Sequence, residues 1–345
     1  MNLKIFYIII LLLCFFSLSS AQQTPFTSNV SNVGTTAAAF LNIGVGSRAV
    51  ALGGAFTAIA DGATALYWNP AGITRCERPE VTFTHNDWFL DIYHEFVGAV
   101  VPAGRNSFGF SATYLGVPDQ KVRTIAQPEG TGNFYNASDM MLGASYAIEF
   151  TDRFAMGFTG KYIRQQIYNS WANAAAIDIG AIYQPSKIKW LSMGMQIANL
   201  GTDIRFKGRD LNIKVDADEK NNSNNRLSAS FDTDTFALPL IFRLGLAVKP
   251  VYSRYNKMIF AVDLIHPSNN TESVNLGAEY EFRDFVALRA GYQSLFERDY
   301  QSTGGLCVGG GLKFYTNGIL LILDYAYRDF GILQSVDRIS CSIRF

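Results

Sequence analysis

From Pro79 to Phe345 the chain repeats one pattern: about ten residues in which apolar side chains alternate with polar or small ones, then a break. Successive side chains of a strand point to opposite faces, so a period of two builds sheets with two unlike surfaces. Leu238, Leu240, Phe242, Leu244, Leu246 and Val248 alternate with Pro239, Ile241, Arg243, Gly245, Ala247 and Lys249. That run is about eleven residues, the length a tilted strand needs to cross a bilayer. In Ser273–Phe282, Val274, Leu276, Ala278, Tyr280 and Phe282 oppose Asn275, Gly277, Glu279 and Glu281. A sandwich in water shares such alternation, so the number and arrangement of the runs must decide. They come to about fourteen, and bacterial outer-membrane barrels close with an even number. They extend from Pro79–Trp88 and Ile92–Pro102, through Ala172–Gln184, Leu238–Pro250 and Phe285–Gln293, to Ser335–Phe345.

The connections sort themselves by length. With the first strand leaving the periplasm, one side carries only the short turns 103–105, 151–152, 185–187, 251–256, 283–284 and 316–317. The long connections 116–137, 201–237 and 294–303 fall on the other side, as an outer-membrane barrel requires. In the last run Ile339, Cys341, Ile343 and Phe345 alternate with Arg338, Ser340, Ser342 and Arg344. A closing amphipathic strand that ends on Phe resembles the signal by which barrel proteins are recognised for insertion. The expectation is an all-β fold, a transmembrane antiparallel β-barrel spanning residues 79–345.

The N-terminus has Lys4, an apolar run from Ile5 to Phe16, then SLSSA and Gln22. This reads as a signal peptide over residues 1–21, cut after Ala21. The run is too short for a membrane anchor, which needs roughly 20 apolar residues. No Cys follows the expected cut, which argues against a lipoprotein. The formal net charge of zero offers no electrostatic case for nucleic acid.

One stretch breaks the pattern. Phe40–Ile73 is crowded with Gly and Ala, and its charges are Arg48 and Asp61. Small residues let backbones approach closely and permit turns that side chains forbid. Asp61 is expected to cap a helix over residues 62–68, and Pro70 to end it by biasing Asn69 away from helical geometry. The runs GSRAVALGGAF and AIADGATALYWNPAG resemble the N-terminal signature of the PorV/PorQ family of Bacteroidetes outer-membrane proteins. Those are relatives of FadL-type barrels, whose plug also carries an Asn-Pro-Ala motif, matched here by Asn69, Pro70 and Ala71. The resemblance implies a FadL-like barrel with a small N-terminal plug over residues 22–78 inside the lumen. Arg48, Gly53, Gly54, Asp61, Trp68, Asn69 and Pro70 would carry the plug motif.

If the apolar set faces lipid, Gly109, Gly143, Gly157, Gly180, Gly194, Gly245, Gly277, Gly291, Gly309 and Gly311 all face inward. Glycine weakens strands, and close approach of another backbone is the usual reason for keeping it. These glycines are therefore expected to form a bed for the plug. The inward Arg243, Lys249, Glu279, Glu281, Arg289 and Asp324 mix both signs and are expected to pair with one another or with Arg48.

By the same resemblance the chain would be a non-catalytic component of type IX secretion. It would bind or shuttle cargo with a C-terminal signal domain, or attachment-complex proteins, as a monomeric barrel within a larger complex in outer-membrane lipid. Phe134, Tyr135, Phe206 and Leu211, in the two long outer loops, are candidate partner contacts because aromatic and apolar anchors dominate interfaces. A rival reading is a FadL-like channel for hydrophobic small molecules, with inward Ile182, Ile241, Ile259 and Phe285 lining part of the path.

Signals for catalysis or cofactors are weak. His85, His94 and His266 fall near strand ends, and no motif supplies a nucleophile for them. After signal removal Cys76, Cys307 and Cys341 remain, an odd number without metal spacing, and any disulfide among them stays open. Asp216, Asp218, Glu219 and Asn221 match a calcium loop poorly, since Lys220 and Asn221 occupy the wrong positions. Gly44-Val45-Gly46 lacks the third glycine of a dinucleotide site. No metal and no cofactor is expected.

Overall fold

A computed structural model of the chain describes residues 34–216, 227–253, 255–296 and 305–345. The signal peptide, the first residues of the expected plug (22–33), and Asp218, Glu219, Lys220 and Asn221 of the calcium reading lie outside them. The wall consists of β1 (Glu80–Asp87), β2 (Tyr93–Ala103), β3 (Asn106–Gly116), β4 (Ala137–Thr151), β5 (Phe154–Ile167), β6 (Ser170–Tyr183) and β7 (Leu191–Gly201). It continues through β8 (Ile241–Tyr252), β9 (Asn256–Pro267), β10 (Ser273–Phe282), β11 (Val286–Leu295), β12 (Gly305–Thr316), β13 (Ile319–Asp329) and β14 (Ser335–Arg344). Every strand pairs antiparallel with its neighbours in sequence, and β14 pairs with β1 from Glu80↔Arg344 to Asn86↔Arg338. The sheet is thereby a closed fourteen-stranded barrel without edges. No described helix is long and apolar enough to cross a membrane.

The wall has the two faces that its alternation requires. Large apolar side chains such as Phe110, Leu246, Leu276 and Tyr325 are exposed on the outside. Charged and polar ones such as Asp178, Asp263, Asn275 and Arg289 are buried inside.

Three local expectations are corrected. The alternation through Leu238 and Leu240 does not belong to the wall: β8 begins at Ile241. Pro239 cannot donate to a ladder, its carbonyl accepts from Asn199 Nδ2 at 2.9 Å, and Leu238 folds into a buried cluster with Phe40, Leu41 and Ile204. Phe285 does not line the lumen. It is exposed at the β10–β11 turn, edge-on to the ring of Phe314. Finally, the long loops carry strands that the sequence reading left out. Gln120–Lys121 pairs with Phe134–Tyr135, Asn212–Val215 with Leu227–Ser230, and Lys207–Gly208 with Ser170–Trp171 at the start of β6.

Candidate functional site

Residues 36–76 run from the long-loop end of the wall to its short-turn end. At the long-loop end Thr36 bridges to Ala237, Asn269 Nδ2 donates to Thr36 Oγ1 at 2.8 Å, and Ala38 N donates to Gln165 Oε1 at 3.0 Å. At the short-turn end Ala63 N donates to Glu80 Oε1 at 2.9 Å and Arg75 Nη2 to Ser192 Oγ at 3.0 Å. Between them lie two short helices, α1 (Ser47–Ala51) and α2 (Ala65–Trp68), and a 3-10 turn over Pro70–Arg75.

The glycines explain how the segment lies so close to the wall. A Cβ on Gly157 would meet the Pro70 carbonyl carbon at 2.4 Å, and one on Gly291 would meet Gly53 N at 2.3 Å. Gly109, Gly180, Gly194, Gly245, Gly277 and Gly309 likewise approach atoms between Ala51 and Pro70. Gly143 and Gly311 are different: their nearest neighbours are wall side chains, Ser111 and Thr159 for one, Asp324 and Arg289 for the other. Gly53 itself has φ +65°, and a Cβ there would strike the Tyr292 backbone at 2.7 Å. Both the turn and the approach therefore require glycine.

Polar fastening runs around the ring. Arg48 grips Glu279 with Nε at 2.7 Å and Nη2 at 2.8 Å, and reaches Asp61 with Nη1 at 2.7 Å. Glu279 is shared with Arg289, which passes on to Asp324 at 2.6 Å. On β9 the buried Asp263 accepts from the backbone N–H groups of Phe56 at 3.0 Å and Thr57 at 2.9 Å. On β7 Gln196 donates to Tyr67 O at 2.8 Å and is itself held by Arg243. On β14 Ser340 Oγ accepts from Ser47 N at 2.8 Å. Bidentate and charge-assisted contacts of this kind fix geometry as well as adding energy.

The apolar side chains of the segment complete the fill. Val45, Leu52, Phe56, Leu66 and Ile73 form one buried cluster with Phe96, Val100 and Ile259 of the wall. Ile182 packs on Ala71. Trp68 lies edge-on to Tyr67 and Phe56 and donates from Nε1 to Val45 O at 2.8 Å. Inward Ile182 and Ile259 are thus covered by the chain itself.

The motif residues divide by role. Asn69 is extended and ties three backbone groups: Nδ2 donates to Thr57 O and Ala181 O, Oδ1 accepts from Ala71 N, and Gly180 makes room for it. Pro70 opens the following 3-10 turn, and α2 ends at Trp68 as Pro70 dictates. Asp61 does not cap α2. The helix starts at Ala65 after an uncapped Thr64, and the Asp61 carboxylate is taken by Arg48. Gly54 lies under Trp68 and beside Asn275. Asp263, Gln196, Glu80 and Ser340, the wall acceptors and donors, were missed because a single polar residue on an inward face gives no sign of which backbone it meets.

In the outer loops Phe134 and Tyr135 are exposed on their hairpin. Phe206 is half-buried against the cluster containing Phe40 and Ile204, and Leu211 is half-buried with its carbonyl accepting from Phe231 N. The four are divided between two loops, Phe134 and Tyr135 on one and Phe206 and Leu211 on the other. His85 is bonded to Glu95 at 2.6 Å and His266 to Glu272 at 3.0 Å. His94 departs from the rim expectation: it points inward and is fully buried. Cys76, Cys307 and Cys341 are free thiols, and burial pushes the Cys76 thiol up, which keeps it inert. No group of residues suited to a metal occurs among the described residues.

The protein-family profile described as type IX secretion system protein PorV matches residues 26–266. No curated protein matches the chain. Among solved structures, CymD, a monoaromatic hydrocarbon channel, is 15% identical over 87% of this chain and 96% of its own, with a TM-score of 0.59. The Ralstonia pickettii toluene transporter TbuX is 12% identical over 88% of this chain and 98% of its own, with a TM-score of 0.53. The Pseudomonas putida toluene transporter TodX is 12% identical over 87% of this chain and 97% of its own, with a TM-score of 0.52. At such identities the likeness is one of fold.

Proposed function

The chain belongs to the PorV family of type IX secretion system proteins and is an outer-membrane component of that system, and from this premise we propose that it binds secreted cargo or attachment-complex proteins at the cell surface and hands them on. It does so without catalysis or cofactor, as a single barrel within a larger complex. The C-terminal domain of the cargo and other type IX components are its partners, and lipid surrounds the wall. The observation that supports this reading is the filled interior. Residues 36–76 reach from one end of the wall to the other and are tied to it by buried charge, as at Arg48–Glu279. Binding then falls to the outer rim, where the hairpin carrying Phe134 and Tyr135 exposes large apolar side chains.

Removing the hairpins within 118–135 and 207–230, each replaced by a short Gly/Ser linker, tests this. The wall is expected to assemble, while cargo secretion and co-purification with other type IX components collapse. Secretion at the level of the intact protein would refute the reading.

The rival, a FadL-like channel for hydrophobic small molecules gated by residues 36–76, is favoured by the fold shared with CymD, TbuX and TodX. It requires the ion pairs of Arg48 to open during transport. A cross-link that locks the segment to the wall would abolish uptake on that reading and leave cargo handling intact on the first.

A further inference from the structure

Three polar residues occupy one row at the long-loop end of the lumen. Asn86 of β1 lies opposite Arg338 of β14 on one side and His94 of β2 on the other. Side chains directly opposite each other across an antiparallel pair stand about 5 Å apart at Cβ. All three point inward, and Asn86, His94 and Arg338 are 0%, 1% and 1% exposed. Their polar atoms are largely unused. Among the described residues Asn86 Nδ2 and Oδ1, both ring nitrogens of His94, and Nε and Nη2 of Arg338 have no hydrogen-bond partner. Arg338 spends Nη1 on the carbonyl of Gly44 and lays its guanidinium 5.5 Å from the centre of the Trp88 ring.

Of the lumenal arginines, Arg48, Arg289 and Arg344 each reach a carboxylate, whereas Arg243 reaches the Gln196 side-chain oxygen and the rings of Tyr67 and Trp68. Arg338 reaches a carbonyl and a ring. A guanidinium does not give up its proton in a protein, so burial cannot relieve its charge by neutralising it. A buried charge without a counter-charge is strongly unfavourable, and water satisfies N–H groups without supplying that charge. Nε and Nη2 form the edge of the guanidinium that donates to both oxygens of a carboxylate side by side. Asn86 adds an amide donor next to it, and His94 adds a ring N–H one strand further. Arg328, the next inward arginine on the neighbouring β13, is turned onto the Phe330 ring at 3.8 Å from its centre, and Phe330 packs edge-on to Trp88.

We propose that Asn86, His94 and Arg338 form a binding site for a carboxylate group, reached from the outer mouth beneath the aromatic pair Trp88 and Phe330. The carboxylate belongs either to a free small organic acid or to the C-terminus of a polypeptide. The chemistry is the same, and one cationic fork with two neutral neighbours suits a single negative charge. Because Arg338 also holds Gly44, a bound carboxylate would brace the lumenal segment at the point where it turns into α1.

The test uses the full chain in mild detergent, melted at constant ionic strength with chloride as the only anion and then with acetate, with phosphate, or with a short apolar peptide bearing a free or an amidated C-terminus. Acetate is expected to raise the melting midpoint by several degrees, identifying a free acid. A rise with the free-ended peptide alone, absent with its amide, identifies a polypeptide terminus, and either result supports the site. Arg338→Gln should abolish the response. Because that change sits in the closing strand and could impair assembly, Asn86→Leu is measured beside it and should weaken the apparent affinity about ten-fold. Equal stabilisation by phosphate, no response to any carboxylate, or an unchanged response in Asn86→Leu would overturn the proposal.

Discussion

Along β10, the outward Leu276, Tyr280 and Phe282 are 37%, 37% and 42% exposed, whereas the inward Asn275, Glu279 and Glu281 are 1%, 3% and 7% exposed. A strand of a water-soluble protein reverses that order. The same backbone thus faces two media, hydrocarbon outside and its own N-terminal segment inside. Outside, an apolar side chain needs no particular partner, so size and shape are loosely constrained. Inside, every charge must meet an opposite charge or a backbone group, and every close approach must be spared a side chain. The inner face is therefore specific to one segment in one position, and the outer face is generic.

The largest break of that contrast is Glu279→Leu. It would leave Arg48 and Arg289 each short of a carboxylate and is expected to cost about 3–5 kcal/mol in a reversible unfolding titration in lipid or detergent. The converse on the outer face, Leu246→Arg near mid-height of β8, should cost about 2–4 kcal/mol by the price of a cation in hydrocarbon, with the lumenal contacts unchanged. A paired test on one strand sharpens the point. Gly157→Ala puts a Cβ 2.4 Å from the Pro70 backbone and should cost about 1–3 kcal/mol. Gly160→Ala on the opposite face of β5 meets nothing within 4 Å and should be neutral or slightly stabilising. Equal effects at both positions would mean that the glycine bias has no connection with the segment.

The smallest expected effect concerns acid. Burial raises the Asp61 carboxyl, but the Arg48 guanidinium beside it and the charge of Arg344 together outweigh burial and hold it below its ordinary value. A carboxylate depressed in the folded state contributes stability in full above the ordinary Asp value and loses it as pH falls through the depressed one. Asp61→Asn should therefore flatten the acid side of the stability profile and leave the alkaline side in place. A profile unchanged below the ordinary Asp range would exclude Asp61 from that linkage.

What the sequence could show follows the same division. Its fourteen strands were legible because the period of two records the difference between lipid and lumen, residue by residue. Short turns and long loops alternated for the same topological reason. Leu238 misled because an apolar residue outside the wall continues the alternation when another cluster awaits it, and only Pro239 hinted at the break. The hairpins at Gln120–Lys121 and Asn212–Val215 were invisible because polar strands clear of the wall bury no face and leave no period.

By itself, then, the sequence determined a closed two-faced wall, a glycine-rich segment compatible with close packing, and a stock of inward charges of both signs. Only the tertiary structure decided how these meet: that Asp61 serves Arg48 rather than a helix end, that Asp263 holds the backbone of Phe56 and Thr57, and that His94 stands in a buried row with Asn86 and Arg338. Alternation is a local property, set by each residue's exposure to one medium or the other. Partnership across the lumen joins residues hundreds of positions apart and leaves no mark on the spacing of either.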